Sequence, residues 1–145
     1  ADCVPVLFYA TDSTLVGAIH SGWQGTVKEI SLKTFTHLRE TENVDLQNVH
    51  VHIGTALSQE KFEVDADVYT KFQALGYADD FMYFKDATEK YHIDNQLTVK
   101  KQCELAGIPA ANITIEDVCT FKSAQGFSYR QDKKAGRHLS FIVHK

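Results

Sequence analysis

Cys3 and His20 are the residues whose types and spacing most directly offer chemistry. Val4-Pro5-Val6-Leu7-Phe8-Tyr9 and Thr14-Leu15-Val16-Gly17-Ala18-Ile19-His20 are apolar, partly β-branched runs separated by the turn-like Ala10-Thr11-Asp12-Ser13, which is the pattern of a β-hairpin. In an antiparallel pair joined by those four residues, opposite positions sum to 23: Tyr9 with Thr14, Leu7 with Val16, Cys3 with His20. Directly opposite residues hold their Cβ atoms roughly 4.5–5.5 Å apart. That separation suits two ligands of one metal, or a thiolate nucleophile and its base.

The residues after His20 add a second chemical feature. Ser21-Gly22-Trp23-Gln24-Gly25 is too glycine-rich for the interior of an element, and a helix from about Thr26 to Arg39 follows, with Val27, Ile30, Phe35 and Leu38 on one face. A turn that opens a helix leaves backbone N–H groups unpaired, with the positive end of the helix dipole behind them, and can hold phosphate or another anion. The plainer alternative is a sharp strand-to-helix turn in which Trp23 covers the core. His50 and His52 alternate on a strand, sharing the solvated face while Val49, Val51 and Ile53 face the core. Cys103 falls on an apolar helical face as a small core residue. Cys119, before Thr120, has a place either in a cleft or in packing, and no spacing that gives it a metal partner. His138 and His144, near the end of the sequence, carry no assignment, and Arg137 positions the final strand.

Around these residues the chain reads as one domain of alternating elements. At 145 residues it can bury a real core, since a domain of this size removes roughly 68–70% of its unfolded surface from water. A net charge of −4 with dispersed basic residues, the short Lys133-Lys134 pair with Arg130 and Arg137 nearby excepted, argues against a nucleic-acid partner. No apolar run approaches a membrane span and no leader pattern opens the sequence. Three widely spaced cysteines fit a reducing compartment better than a disulfide framework, so the default setting is cytoplasmic. Ala1-Asp2-Cys3 enters a strand at once, an unusual start for a native domain, and the expectation is a truncated chain. Val49 to Ile53 reads as a strand ending at Gly54; Val68, Phe72 and Leu75 space a short helix closed by Gly76; Phe81 to Phe84 is a further strand. Asp94 caps a helix whose Leu97, Val99, Cys103 and Ala106 lie inward, stopped by Gly107 and Ile108-Pro109. Asn112 to Ile115, Val118 to Phe121 and Leu139 to Val143 supply three short strands. The expected class is α+β, a layered α/β domain with a mixed sheet and two to three helices.

Several of these segments together resemble the YfiH/YlmD family: Ala1 to Phe8, Ala18 to Thr26, Phe62-Glu63-Val64, Cys119-Thr120, Phe127-Ser128-Tyr129-Arg130-Gln131-Asp132 and Gly136-Arg137. The Tyr91-His92-Ile93-Asp94 segment is similar as well, although capping by Asp94 explains it about as well as catalysis. The resemblance runs nearly end to end and covers roughly the C-terminal three-fifths of a family member. Its proteins were long labelled laccase-like multicopper polyphenol oxidases and are now regarded as purine nucleoside phosphorylases. The resemblance implies a YfiH-like fold and a zinc held by Cys3, His20 and a second histidine from a segment upstream of Ala1. It implies phosphorolysis of adenosine, inosine, guanosine and methylthioadenosine, with adenosine deamination at a zinc that keeps an open position. Phosphate would sit at the helix start formed by Gly22, Trp23, Gln24 and Gly25, with Arg130, whose planar fork suits phosphate, either touching it directly or supporting the groups that do. The partners implied are a small-molecule nucleoside and phosphate, with the protein a monomer or homodimer.

Three departures dilute the basic character of that site. Family members usually read His-Ala-Gly-Trp-Arg-Gly where this chain has Ser21 and Gln24; Thr55 stands where proline is common, and Gln131 where a second arginine often follows. The zinc-dependent nucleoside enzyme therefore competes with a cysteine hydrolase built on a Cys3/His20 dyad and with a non-enzymatic binding fragment. A copper polyphenol oxidase ranks below these, because such centres need more histidines and a methionine or equivalent, and Met82 is the only methionine.

Overall fold

The computed structural model describes residues 1–145. Strand β1 (Val4–Ala10) and strand β2 (Val16–Ser21) form the expected hairpin, then come helix α1 (Trp23–Val27), helix α2 (Ile30–Glu40) and strand β3 (Val49–Ile53). The chain continues with β4 (Glu63–Val64), α3 (Ala66–Gln73), β5 (Met82–Lys85), β6 (Lys90–Ile93), α4 (Asn95–Ala106) and β7 (Ile113–Ile115). The class is α+β as expected, but the strands divide between two sheets, ordered β2-β1-β3-β7 and β4-β6-β5. There are four α-helices rather than two or three. No helix is long and apolar enough to cross a membrane.

The hairpin register differs from the one read in the sequence. Val4 faces Ser21, Pro5 faces His20 and Tyr9 faces Val16, so opposite positions sum to 25. The cause lies at the far end: Ala10 pairs with Val49 of β3 and its N–H donates to Leu15 O, which keeps it in the strand and pushes the turn on to residues 11–14. Thr11 N–H then donates to Asn48 O, anchoring the turn to the approach to β3. Each partner moves by two positions, so side chains keep their faces. Cys3 and His20 become diagonal rather than direct neighbours.

One apolar cluster fills the space between the larger sheet and helices α2 and α4. Val4, Val6, Ile53, Phe35, Val99 and Cys103 are fully buried there, which confirms Cys103 as core. A second cluster of Leu57, Phe62, Val64, Phe72, Ala78 and Ile93 lies under the smaller sheet, with Trp23 packed against it. The opposite face of the larger sheet carries Pro5, Leu7, His50 and His52 and is open or half-open. On it His50 stacks on Tyr9 at 5.2 Å and His52 Nδ1 lies 2.9 Å from Thr114 Oγ1. The alternating histidines thus keep to the solvated face, as their spacing predicts.

Four further expectations need correction. The helix read as Thr26 to Arg39 is broken at Glu29, which sits in the left-handed region at φ 61°. The break lets α1 follow the turn while α2 packs its Phe35 into the core. Leu97 points outward, 36% exposed. It lies two residues, about 200° around the helix, from the buried Val99. Asn95, Thr98 and Gln102 share the buried face with Val99, Cys103 and Ala106 instead. Val118 to Phe121 forms only a bridge between Ala56 and Cys119, and Leu139 to Val143 is no strand. Leu139, Phe141 and Val143 there are 85%, 71% and 65% exposed. Alternating apolar residues predict a strand only where a neighbouring strand accepts their hydrogen bonds.

The caps behave as their chemistry requires. Asp94 Oδ1 accepts from Leu97 N at 2.8 Å, and Gly107 ends α4 at φ 118°. The hairpin also contains a close approach that only glycine permits: a Cβ on Gly17 would lie 2.1 Å from Phe8 Cζ. Phe8 rests in turn against Phe35, rings 5.0 Å apart at 71°. Gly17→Ala is therefore expected to displace the Phe8 ring and destabilise the fold by about 1–3 kcal/mol, read as a lower denaturant midpoint at unchanged slope.

Candidate active site

Register and turn together decide what surrounds the Cys3 thiol. Continuing the β1–β2 pairing past its last rung places Gly22 opposite Cys3. A Cβ on Gly22 would lie 3.0 Å from Cys3 Sγ and 3.8 Å from His20 Cε1, so sulfur and imidazole both border the space this glycine leaves free. Both side chains are exposed. They stand where three cavities of about 590, 400 and 350 Å³ meet.

The largest cavity gathers residues far apart in sequence. Cys3, His20 and Trp23 come from the hairpin and turn, Phe62 from the approach to β4, and Asn95 from the first turn of α4. Tyr129, Arg130 and Arg137 come from the C-terminal segment. The result is a cleft with a thiol, an imidazole, two guanidinium groups and three aromatic rings. Of these, sequence reasoning singled out Cys3, His20, Trp23 and Arg130. It missed Phe62, Tyr129 and Asn95, and it gave Arg137 only a supporting part beside a final strand that does not form. Phe62 and Tyr129 lay within the matched motifs, which was the available signal; nothing in the sequence marked Asn95.

Asp2 holds this arrangement together, and it too escaped the sequence reading. Its Oδ1 accepts from Thr120 Oγ1 at 2.7 Å, its Oδ2 accepts from Arg130 N at 2.8 Å, and its carbonyl accepts from Leu57 N at 3.1 Å. One residue beside Cys3 thus ties three segments to the cleft, at the strain of a left-handed backbone with φ 75°. The Arg130 guanidinium donates from Nη1 to Glu63 O at 2.8 Å and lies 5.9 Å from the Phe62 ring centre. That contact leaves most of its five N–H donors free for a ligand. Arg137 folds back on its own backbone, donating to Ala135 O and Gly136 O.

The turn after His20 is less of an anion cradle than the sequence suggests. Helix α1 runs only from Trp23 to Val27, so its dipole is short, and Thr26 N–H already donates to Gly22 O. Gln24 and Gly25 line the 400 Å³ cavity with Lys28 rather than the main cleft. Ser21 is fully buried, and its Oγ lies 2.8 Å from Thr26 Oγ1. The basic groups of the main cleft are therefore Arg130 and Arg137. Of the other departures, Thr55 borders the 350 Å³ cavity, and Gln131 is exposed with its N–H donating to Ser128 Oγ.

The remaining candidates fall outside the main cleft. Asp94 caps α4, and burial pushes its carboxyl above the ordinary value. Cys119 is half-buried beside Ser58, whose N–H points at Sγ at 3.3 Å. Burial opposes its thiolate, but donors from Ser58, Lys122 and Phe121 outweigh that and hold the thiol below its usual value. Burial pushes Cys3 up, and pushes Cys103 up to about 12. His92 is fully buried, stacked on Tyr83 at 4.7 Å, with Nδ1 3.1 Å from Gln59 O. His138 Nε2 accepts from Phe127 N. Cys3 thiolate and His20 imidazole are suitable zinc donors. Within these 145 residues no group of three or more His, Cys, Asp and Glu side chains forms a metal-holding cluster around them or elsewhere.

Comparison with known proteins agrees with the motifs. A family model described as multi-copper polyphenol oxidoreductase laccase matches residues 1–145. Among curated relatives, a protein of Bacteroides thetaiotaomicron named purine nucleoside phosphorylase is 34% identical over 149 residues, covering 100% of this chain and 55% of that protein. Purine nucleoside phosphorylase YlmD of Bacillus subtilis is 32% identical over 144 residues, covering 98% of this chain and 52% of its own length. The chain thus spans about half the length of the curated relatives it matches. Among solved structures, YfiH of Bacillus licheniformis superposes with a TM-score of 0.85 at 28% identity, over 92% of this chain and 51% of that one. YlmD of Geobacillus stearothermophilus gives 0.84 at 27% identity, over 92% and 50%. Matched along its whole length and superposed on these two folds, the chain belongs to the YfiH/YlmD family of multi-copper polyphenol oxidoreductase laccase-type proteins.

Proposed function

We propose that this chain carries the zinc-binding and substrate-binding part of a purine nucleoside phosphorylase that also deaminates adenosine. The observation that supports it most is the single cavity of about 590 Å³ in which Cys3, His20, Arg130, Arg137 and the rings of Trp23, Phe62 and Tyr129 meet. Each group has a task in phosphorolysis. A phosphate oxygen attacks the ribose anomeric carbon, the glycosidic bond breaks, and the purine leaves with the bonding electrons and takes up a proton. Arginine forks bind and orient the phosphate. Aromatic faces hold the purine and exclude water from it. Cys3 and His20 supply two legs of a zinc site, with the third donor from outside these residues. When bound, zinc supplies Lewis acidity and a water of lowered pKa, the requirement for hydrolytic deamination. The protein works as a monomer or homodimer in the cytoplasm, with nucleoside and phosphate as its small-molecule partners.

The dyad reading keeps Cys3 and His20 on one face without metal, with thiolate as nucleophile. Partial desolvation disfavours a free Cys3 thiolate, which weakens the dyad; in the zinc reading a bound metal would supply the charge that offsets it. A copper-dependent polyphenol oxidase is favoured by the family's description alone.

Purified protein that includes the segment supplying the third donor is expected to carry about one zinc per chain by elemental analysis, and Cys3→Ser or His20→Ala to lower metal affinity about 100-fold or more and abolish inosine phosphorolysis. Protein that stays metal-free in the presence of zinc, or that phosphorolyses inosine equally well after His20→Ala, would refute the zinc enzyme. Iodoacetamide labelling of folded protein near pH 8, read by peptide mass, is expected to modify Cys119 first and to spare Cys103. A lowered thiol pKa means more thiolate at a given pH and a raised one less. Labelling fastest at Cys3 would instead favour the dyad.

A further inference from the structure

We infer that Asn95 is a specificity-determining residue whose side-chain carbonyl receives a hydrogen-bond donor of the nucleoside and so orients the nucleoside in the cleft. The inference rests on the phosphorolysis reading above and deepens it. Asn95 is 5% exposed and lies in the wall of the main cavity with Cys3 and His20. Its Nδ2 donates to Ser21 O at 3.3 Å, and Oδ1 is buried with no partner in the protein. The acceptor on Ser21 assigns the orientation of the amide, because only the amino side can donate to a carbonyl. The oxygen is left with both lone pairs unused. A buried acceptor without a partner is destabilising, and native folds keep few of them. In the wall of a cleft the natural relief is a donor brought by the ligand.

The sign of the group then orders the ligand. A carbonyl oxygen attracts N–H and O–H and repels phosphate oxygens, whereas Arg130 and Arg137 do the reverse. Asn95 reaches the cleft from the first turn of α4, while both arginines reach it from the C-terminal segment. The same cavity thus holds groups of opposite preference, the arginines for the anion and Asn95 for the donor-bearing nucleoside. The donor is either a ribose hydroxyl or the exocyclic amino group of the base, which present the same chemistry to the amide oxygen. A site that hydrogen-bonds a ligand group also rejects analogues lacking it, because its own buried polar atom is then left unpaired.

The test is titration calorimetry of the wild-type protein and Asn95→Leu with adenosine and, separately, with inorganic phosphate. The expected result is about tenfold or greater weakening for adenosine with phosphate affinity unchanged. Asn95→Ala, which removes the amide without adding apolar bulk, reads the same contact should the leucine variant not fold. Deoxyadenosines lacking the 2′, 3′ or 5′ hydroxyl, and purine riboside lacking the amino group, identify the donor. The analogue missing it binds wild type weakly, yet the variant binds it as well as it binds adenosine, the signature of direct coupling. Unchanged adenosine affinity in the variants, parallel loss of phosphate and adenosine binding, or no analogue showing that coupling would overturn the inference. An active wild type whose KM for adenosine is unmoved by Asn95→Leu overturns this contact alone. Wild type that binds adenosine through Asn95 but performs no phosphorolysis confirms the contact and overturns the reaction.

Discussion

The pairing of β1 with β2 is the constraint on which the rest of the site depends. Its register is held from the end remote from the cleft, by Ala10 between Leu15 and Val49 and by the Phe8 ring lying over Gly17. Because side chains alternate along a strand, a one-residue slip would send Cys3 and His20 to opposite faces. It would also turn Val4, Val6 and Phe8, each at most 5% exposed, out of the core. Apolar burial therefore protects the placement of two exposed polar groups that bury little themselves. Chemistry at the open end of the hairpin is supported by packing at the closed one.

A second layer of order comes from polar contacts. The C-terminal segment after β7 has no regular strand or helix, so its arginines need another source of position. Asp2 supplies part of it through Thr120 and Arg130, and the Glu63 carbonyl supplies more. Charge-assisted bonds to a carboxylate are stronger than neutral ones, and here they converge beside Cys3. The left-handed backbone of Asp2 is the counterpart of that convergence, since strain of this kind persists where surrounding contacts over-determine it.

What was legible in the sequence follows from which interactions are local. Strand β3, the cap at Asp94, the stop at Gly107 and the shared face of Cys3 and His20 depend on neighbours within a few residues, and alternation or capping chemistry announces them. The exact register did not, because it is decided by Ala10 meeting Val49, a contact between distant segments. For the same reason Leu139 to Val143 reads as a strand although no strand lies beside it. The arginine and aromatic lining was visible only through the family motifs; Asp2 lay within one of them with no role attached, and Asn95 was marked by neither route. Their roles reside in contacts with Ser21, Thr120 and Arg130 that no local pattern encodes.

The departures at Ser21 and Gln24 have different physical meanings once placed. Ser21 begins a buried polar chain: its Oγ meets Thr26 Oγ1, Gln102 Nε2 donates to Thr26 O and to Tyr77 OH, and Tyr77 OH donates to Glu29. Burial raises the Tyr77 pKa, with Gln102 opposing and Glu29 reinforcing, so the phenol keeps its proton for that last bond. The chain thereby links the turn after His20 to α4 and to the left-handed Glu29 at which the helix breaks. An alanine at position 21 would leave the Thr26 hydroxyl with only its bond to Gly22 O. Gln24 is exposed beside Lys28, outside the main cleft. Its neutral amide removes charge from the neighbouring cavity while Arg130 and Arg137 remain in the main one. The first departure tightens the turn that carries the histidine; the second leaves the positive charge of the main cleft to Arg130, held by Asp2 and Glu63, and to Arg137, folded on its own backbone.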